Sequence, residues 1–180
     1  MVSTPGSSEA KAAAPSERLS AGTLVAYASP AVPISALGLP LVVYLPPFYA
    51  ADVGVGLSLV GVLFMVARFW DVFTDPLLGV LSDRFRTRWG RRRPWVAASV
   101  PILLASVYFL FMPPAQVGGI YLLGWLVLLY VGWTLLTISH MSWGAELSSD
   151  YHERSRVQGW REFALVSGML LVLVLPAVVE

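Results

Sequence analysis

Cysteine is absent from the sequence, which excludes a disulfide framework and any thiolate metal site. Charge is scarce too. Asp, Glu, Lys and Arg make up 13% of the chain, where a soluble domain carries about 25%. Histidine occurs only as His140 and His152, which form no ligand cluster. No nucleophile–base pair stands out, so an enzyme is not indicated. No nucleic-acid module is visible, because the one dense basic run is short and lies between apolar stretches. A secretory signal is missing as well: residues 1–20 are rich in Ser, Ala and Pro with mixed charge, without a basic start leading into a short apolar stretch. They read as a disordered cytoplasmic tail, and the first apolar segment is expected to be retained.

What the chain has in abundance is apolar surface. Hydrophobic residues make up 57% of it and the mean hydropathy is +0.70, the composition of a membrane protein. About 20 apolar residues cross a bilayer as a helix, and five such spans fit, at about 24–49, 57–81, 94–112, 119–143 and 161–180. The first contains Pro30, Pro33, Pro40, Pro46 and Pro47, tolerable in a membrane helix where neighbours satisfy the freed backbone groups. The loops alternate in charge. Residues 50–56 hold only Asp52 and residues 113–118 hold no charge, whereas 83–93 and 144–162 carry nine arginines. Short loops rich in Arg stay cytoplasmic, so the N-terminus is expected inside a multi-pass protein of the cell membrane, in contact with its lipids. Five spans make an incomplete carrier. Residues 21–180 are therefore expected to be a partial N-terminal bundle of an all-α protein, with a C-terminal bundle supplied by the same or a second chain.

The second span carries Arg68, Asp71 and Asp75. Spacings of three and four residues place them on one helix face. Each such charge costs roughly 2.5–3.5 kcal/mol to insert, so intramembrane charges generally face a polar cavity and handle ions or substrate. At 1.5 Å per residue, Asp75 is about 10 Å and Asp71 about 16 Å from the arginine loop. Thr74 lies beside them, and Pro76 leaves the Val72 carbonyl without its helical partner. Such oxygens suit Na⁺ or a proton relay; the alternative is that Arg68 pairs with Asp71 and the set only pins helices together.

The following loop offers Gly79, Asp83, Arg84, Gly90, Arg91 and Arg92 as a charge latch between cytoplasmic helix ends, or as a plain topology signal touching anionic lipid. The fourth span ends with an unusually polar run, Thr134, Thr137, Ser139, His140, Ser142, Trp143 and Glu146. Thr137 and Ser139 are candidates for an ion site or a solute contact. Trp143 is either a stacking platform or an interfacial anchor, and His140 either a proton carrier or a structural histidine. Arg161 at the start of the fifth span is a candidate solute donor.

The pattern Arg-x-x-Asp-x-x-x-Asp-Pro from Arg68 to Pro76, joined to Gly79, Asp83 and the run from Arg88 to Trp95, resembles the glycoside–pentoside–hexuronide:cation symporter family. This is the melibiose-permease branch of the major facilitator superfamily. Tyr49, the segment Gly56 to Ser58, and the segment from Trp143 through Glu146, Asp150 and Glu153 to Arg156 support it. The resemblance covers about residues 24–180, and the family's chains are far longer.

It implies part of a twelve-helix carrier that works by alternating access and couples a solute to Na⁺, Li⁺ or H⁺, with no other cofactor. It implies that Asp71 and Asp75 coordinate the cation, with Thr74 between them and Thr137 contributing from the fourth span. The family's sugar-site aromatic and arginine fall near Trp143 and Arg161. Two sugar-binding aspartates of the melibiose carrier fall at Ser35 and Ser139, which makes galactosides doubtful and leaves another glycoside, a uronate or a lipid-like solute. Ser35, Tyr44, Ser139, Trp143 and Arg161 form the candidate solute set. The competing expectation is a truncated or split-gene membrane protein without transport activity of its own.

Overall fold

Without water in the hydrocarbon layer, backbone N–H and C=O groups must bond within the chain, so apolar segments of this length become helices. The computed structural model describes residues 18–84 and 92–179. It contains α1 (Ala21–Ala28), α2 (Ala31–Val43), α3 (Leu45–Ala51), α4 (Leu57–Arg84), α5 (Arg93–Phe111), α6 (Gly119–Glu146) and α7 (Tyr151–Val179), with no strand among the described residues. Among the described residues five units are long and apolar enough to cross a membrane, α1 to α3 together forming the first. Residues 1–17 of the expected tail lie outside the described residues.

Local chemistry sets most of the boundaries. Ser20 starts α1 by accepting the Thr23 N–H at 3.2 Å. Pro30 separates α1 from α2, and Pro46 and Pro47 occupy the first turn of α3, where a missing N–H costs nothing. Gly54 and Gly56 adopt φ of 80° and 84° in the turn before α4, a conformation that favours glycine. The fifth span, α7, begins at Tyr151, earlier than the apolar content alone indicates. Asp150 is the reason: its Oδ1 accepts the N–H of His152 at 2.8 Å and of Glu153 at 3.0 Å, an N-cap that starts a polar first turn before the membrane is reached.

The centre of the bundle is α6. Half of its most apolar stretch is buried, against 22% or less in the other spans. It packs against α5 and α4, while α7 packs mainly on α2 and α1. Gly132 lets α5 approach α6 closely; a Cβ there would stand 3.0 Å from Ile102 and 3.1 Å from Leu103. Leu41, Leu45, Tyr49, Val60, Leu110, Leu122 and Leu126 fill the space between these helices. Serines inside the apolar helices satisfy themselves locally, Ser99 on the Val96 carbonyl and Ser106 on that of Ile102, both at 2.8 Å.

Among the described residues, contacts made by arginines join helix ends. Arg92 reaches Glu146 at 3.4 Å and the Ser82 hydroxyl at 3.3 Å, joining the start of α5 to the ends of α6 and α4. At the same end Leu19 donates to Glu153 and its carbonyl accepts from Arg156, both at 3.3 Å, which ties the start of α1 to α7.

Candidate functional site

Two adjacent helices build the site. Asp71 and Asp75 are one turn apart on α4, and Thr134 faces them from α6. The Thr134 hydroxyl lies 2.6 Å from Asp75 Oδ1 and 3.2 Å from Asp71 Oδ1, so one proton is shared between two carboxylates. Asp71 is buried at 9% exposure, whereas Asp75 stands exposed on the open side of the bundle. The second oxygen of Asp71 accepts from Arg68 at 3.3 Å. Thr74 donates to the Asp71 carbonyl at 3.2 Å and the Trp70 carbonyl at 3.4 Å, so it serves its own helix. Pro76 has no N–H to offer the Val72 carbonyl.

Carboxylate, hydroxyl and carbonyl oxygens are hard donors, matched to alkali ions or to a proton rather than to soft metals. Among the described residues no three His, Cys, Asp or Glu side chains converge. Two carboxylates carry charge that one or two small monovalent ions relieve without a third ligand of like sign.

Arg68 borders a cleft of about 420 Å³ lined from α2, α4 and α6 by residues that include Leu41, Phe64, Tyr130 and Trp133. Its guanidinium sits 5.4 Å above the Tyr130 ring centre, within the range of a cation–π contact.

The remaining candidates scatter. Thr137, expected as the fourth-span donor, is half-buried and its hydroxyl is buried with no hydrogen bond, while Thr134 stands beside the carboxylates. Ser139 is likewise buried and unbonded. Ser35 bonds the Val32 carbonyl at 3.0 Å and is pressed against Gly168 of α7, in a helix crossing rather than in the cleft. Tyr44 is exposed at the break between α2 and α3. Trp143 packs edge-on against Tyr27 at 6.1 Å, and Arg161 pairs with Glu162 at 2.6 Å while its Nε stays buried and unbonded.

Of the latch residues, Gly79 has room for a Cβ, which would stand 4.0 Å from Ile138 in ordinary contact. Arg84 is exposed in the last turn of α4, and Arg92 makes the contacts given above. Gly90, Arg91 and the side chain of Asp83 lie outside the described residues. Sequence reasoning missed the pairing of Tyr27 with His140. The Tyr27 hydroxyl donates to the His140 carbonyl at 3.2 Å, His140 Nε2 stands 2.7 Å from the Tyr27 carbonyl, and the rings stack at 4.5 Å.

Comparison with known proteins gives a consistent result. The family described as MFS/sugar transport protein matches residues 26–180. The inner membrane symporter YicJ of Escherichia coli (strain K12) is 33% identical over 143 residues, 77% of this chain and 31% of the relative. The isoprimeverose transporter of Lactiplantibacillus pentosus is 31% identical over 72% of this chain and 28% of its own. The sodium-dependent lysophosphatidylcholine symporter 1 of Gallus gallus is 30% identical over 86% of this chain and 30% of its own. The chain thus spans about three tenths of the length of the curated relatives it matches.

Proposed function

This chain belongs to the MFS/sugar transport protein family, a multi-pass membrane transporter fold rather than an enzyme, and from that premise we propose that it supplies the cation site of a solute symporter. The observation that carries the proposal is the single Thr134 hydroxyl held between Asp71 and Asp75. A monovalent cation entering from the exposed Asp75 side would take one oxygen from each carboxylate and the Thr134 oxygen. Two like charges one turn apart repel in a poorly polarisable surrounding, and the cation removes that repulsion. In the ion-free arrangement Arg68 compensates Asp71.

The solute is a sugar, glycoside or related small molecule, in keeping with the family described as MFS/sugar transport protein and with the relative named isoprimeverose transporter. Na⁺, Li⁺ and H⁺ each fit the same site, since all three need only oxygen donors. A second bundle closes the site, in line with relatives some three times longer. The arginine-rich end faces the cytoplasm.

The test is ion-driven uptake by the carrier that contains this chain. Asp71→Asn and Asp75→Asn should each abolish accumulation against a gradient while leaving the protein in the membrane. Full Na⁺- or H⁺-driven uptake in both variants would remove the cation site from these residues.

A further inference from the structure

The first span is built from three short helices, and the joint between the first two has a particular chemistry. Pro30 has no N–H for the Ala26 carbonyl, and Pro33 has none for that of Ser29. Both carbonyls are served locally instead. The Ser29 hydroxyl donates to Ala26 at 3.0 Å, and the Val32 N–H donates to Ser29 at 3.3 Å. Ser29 and Pro30 keep right-handed helical backbone angles, with φ of −55° and −66°. The chain therefore runs on in helical sense through residues 29–33 with two of its regular bonds missing, about one turn apart. Prolines so placed are the usual cause of a kink, and bending here meets less resistance than in an uninterrupted helix.

Beyond this joint, α1 is 8 residues long and buries only Leu24, Tyr27 and Ala28. Its anchorage is on α6 and α7. Leu24 and Tyr27 pack with Val157, and Leu19, Trp143 and Leu147 close round them. Tyr27 lies directly on Gly144, where a Cβ would collide with the phenol ring. Its hydroxyl donates to the His140 carbonyl, and its own carbonyl lies 2.7 Å from His140 Nε2. Leu19 is tied to Glu153 and Arg156. A short helix with one narrow buried stripe belongs to the low-stability elements that open as a unit. We propose that α1 is a hinged flap, pivoting on residues 29–33, which closes over the junction of α6 with α7 and is latched by the Tyr27–His140 pair. When it lifts, His140 and Trp143 lose their cover while α2 stays packed on α7.

The test is hydrogen–deuterium exchange of the purified full-length carrier that contains this chain, held in lipid nanodiscs. The amides of α1 should exchange together and faster than those of α2. Tyr27→Phe keeps the ring and removes one latch bond, so α1 should exchange about fivefold faster, with a smaller change in α2. Pro30→Ala combined with Pro33→Ala returns an N–H to each freed carbonyl, and should slow α1 to within about twofold of α2. A second reading follows the side chain itself, with any cysteines outside these 180 residues replaced. Leu24→Cys should react with a maleimide, faster in the Tyr27→Phe background, while Leu122→Cys, equally buried on α6, should not. Exchange of α1 in step with α2 in the unaltered carrier, equal acceleration of both in Tyr27→Phe, or an α1 indifferent to the proline replacements overturns the proposal. Neither cation nor solute enters these measurements, so their outcome is separate from that of the cation site.

Discussion

Tyr27 and His140 hold each other by the backbone, each side chain reaching the carbonyl of the other residue across the α1–α6 contact. A carbonyl only accepts, so His140 Nε2 carries the hydrogen of its 2.7 Å bond. The histidine is 2% exposed and already committed, which gives it a fastening role in this conformation. Tyr27→Phe should lower stability by about 1 kcal/mol, the net worth of one hydrogen bond. His140→Ala should cost more, about 2–3 kcal/mol, because it leaves the buried Tyr27 carbonyl unpaired and also opens a cavity. Thermal unfolding in detergent checks both, and equal small losses would deny the reciprocal bond.

Thr134 and Thr137 differ by one turn on α6, and only Thr134 bonds the two carboxylates among the described residues. Thr134→Ala should weaken cation binding about tenfold, near 1.4 kcal/mol, with Thr134→Ser restoring most of it because the hydroxyl is kept. Thr137→Ala should leave cation affinity within about twofold, since its hydroxyl bonds to nothing. Cation titrations of the three variants decide the matter, and the reverse order would move the site one turn along the helix.

Gly168 marks a close crossing of α7 on α2. A Cβ there would collide with the Ser35 hydroxyl and with the Val32 carbonyl oxygen, a backbone atom that cannot swing away. Gly168→Ala should therefore destabilise by about 1–3 kcal/mol. Gly159, on the same helix, has nothing within 4 Å of its would-be Cβ, and Gly159→Ala should be neutral or stabilising by up to about 1 kcal/mol through helix propensity. Unfolding midpoints of the two variants, measured side by side, check the contrast.

Charge and helix period are local properties, which is why the arginine run and the Arg68–Asp71–Asp75 face are legible from residues alone. The breaks at Pro30 and at Pro46 and Pro47 are legible for the same reason. The start of α7 was legible too, in Asp150 followed three residues later by Glu153, but an apolar count passes over a polar first turn. Three features were not legible. Choosing Thr134 over Thr137 needs the rotation of α6 against α4. Placing Ser35 against Gly168 needs the α2–α7 crossing, and the Tyr27–His140 pair joins residues far apart in the chain. Each depends on how helices meet, and no single helix records that.

The orientation can be tested by cysteine labelling in the carrier with any cysteines outside these 180 residues replaced, since residues 1–180 contain none. Ala115 lies exposed in the uncharged turn between α5 and α6, and Ser155 lies exposed near the start of α7 at the arginine-rich end. Residues 83–93 and 144–162 carry nine arginines and the 113–118 turn carries none, a distribution that predicts cytoplasmic arginine-rich loops. A membrane-impermeant maleimide should then label Ala115→Cys in intact cells, and Ser155→Cys only after permeabilisation. The opposite pattern would place the arginines outside and invert every span, putting the exposed Asp75 about 10 Å from the external rather than the cytoplasmic surface.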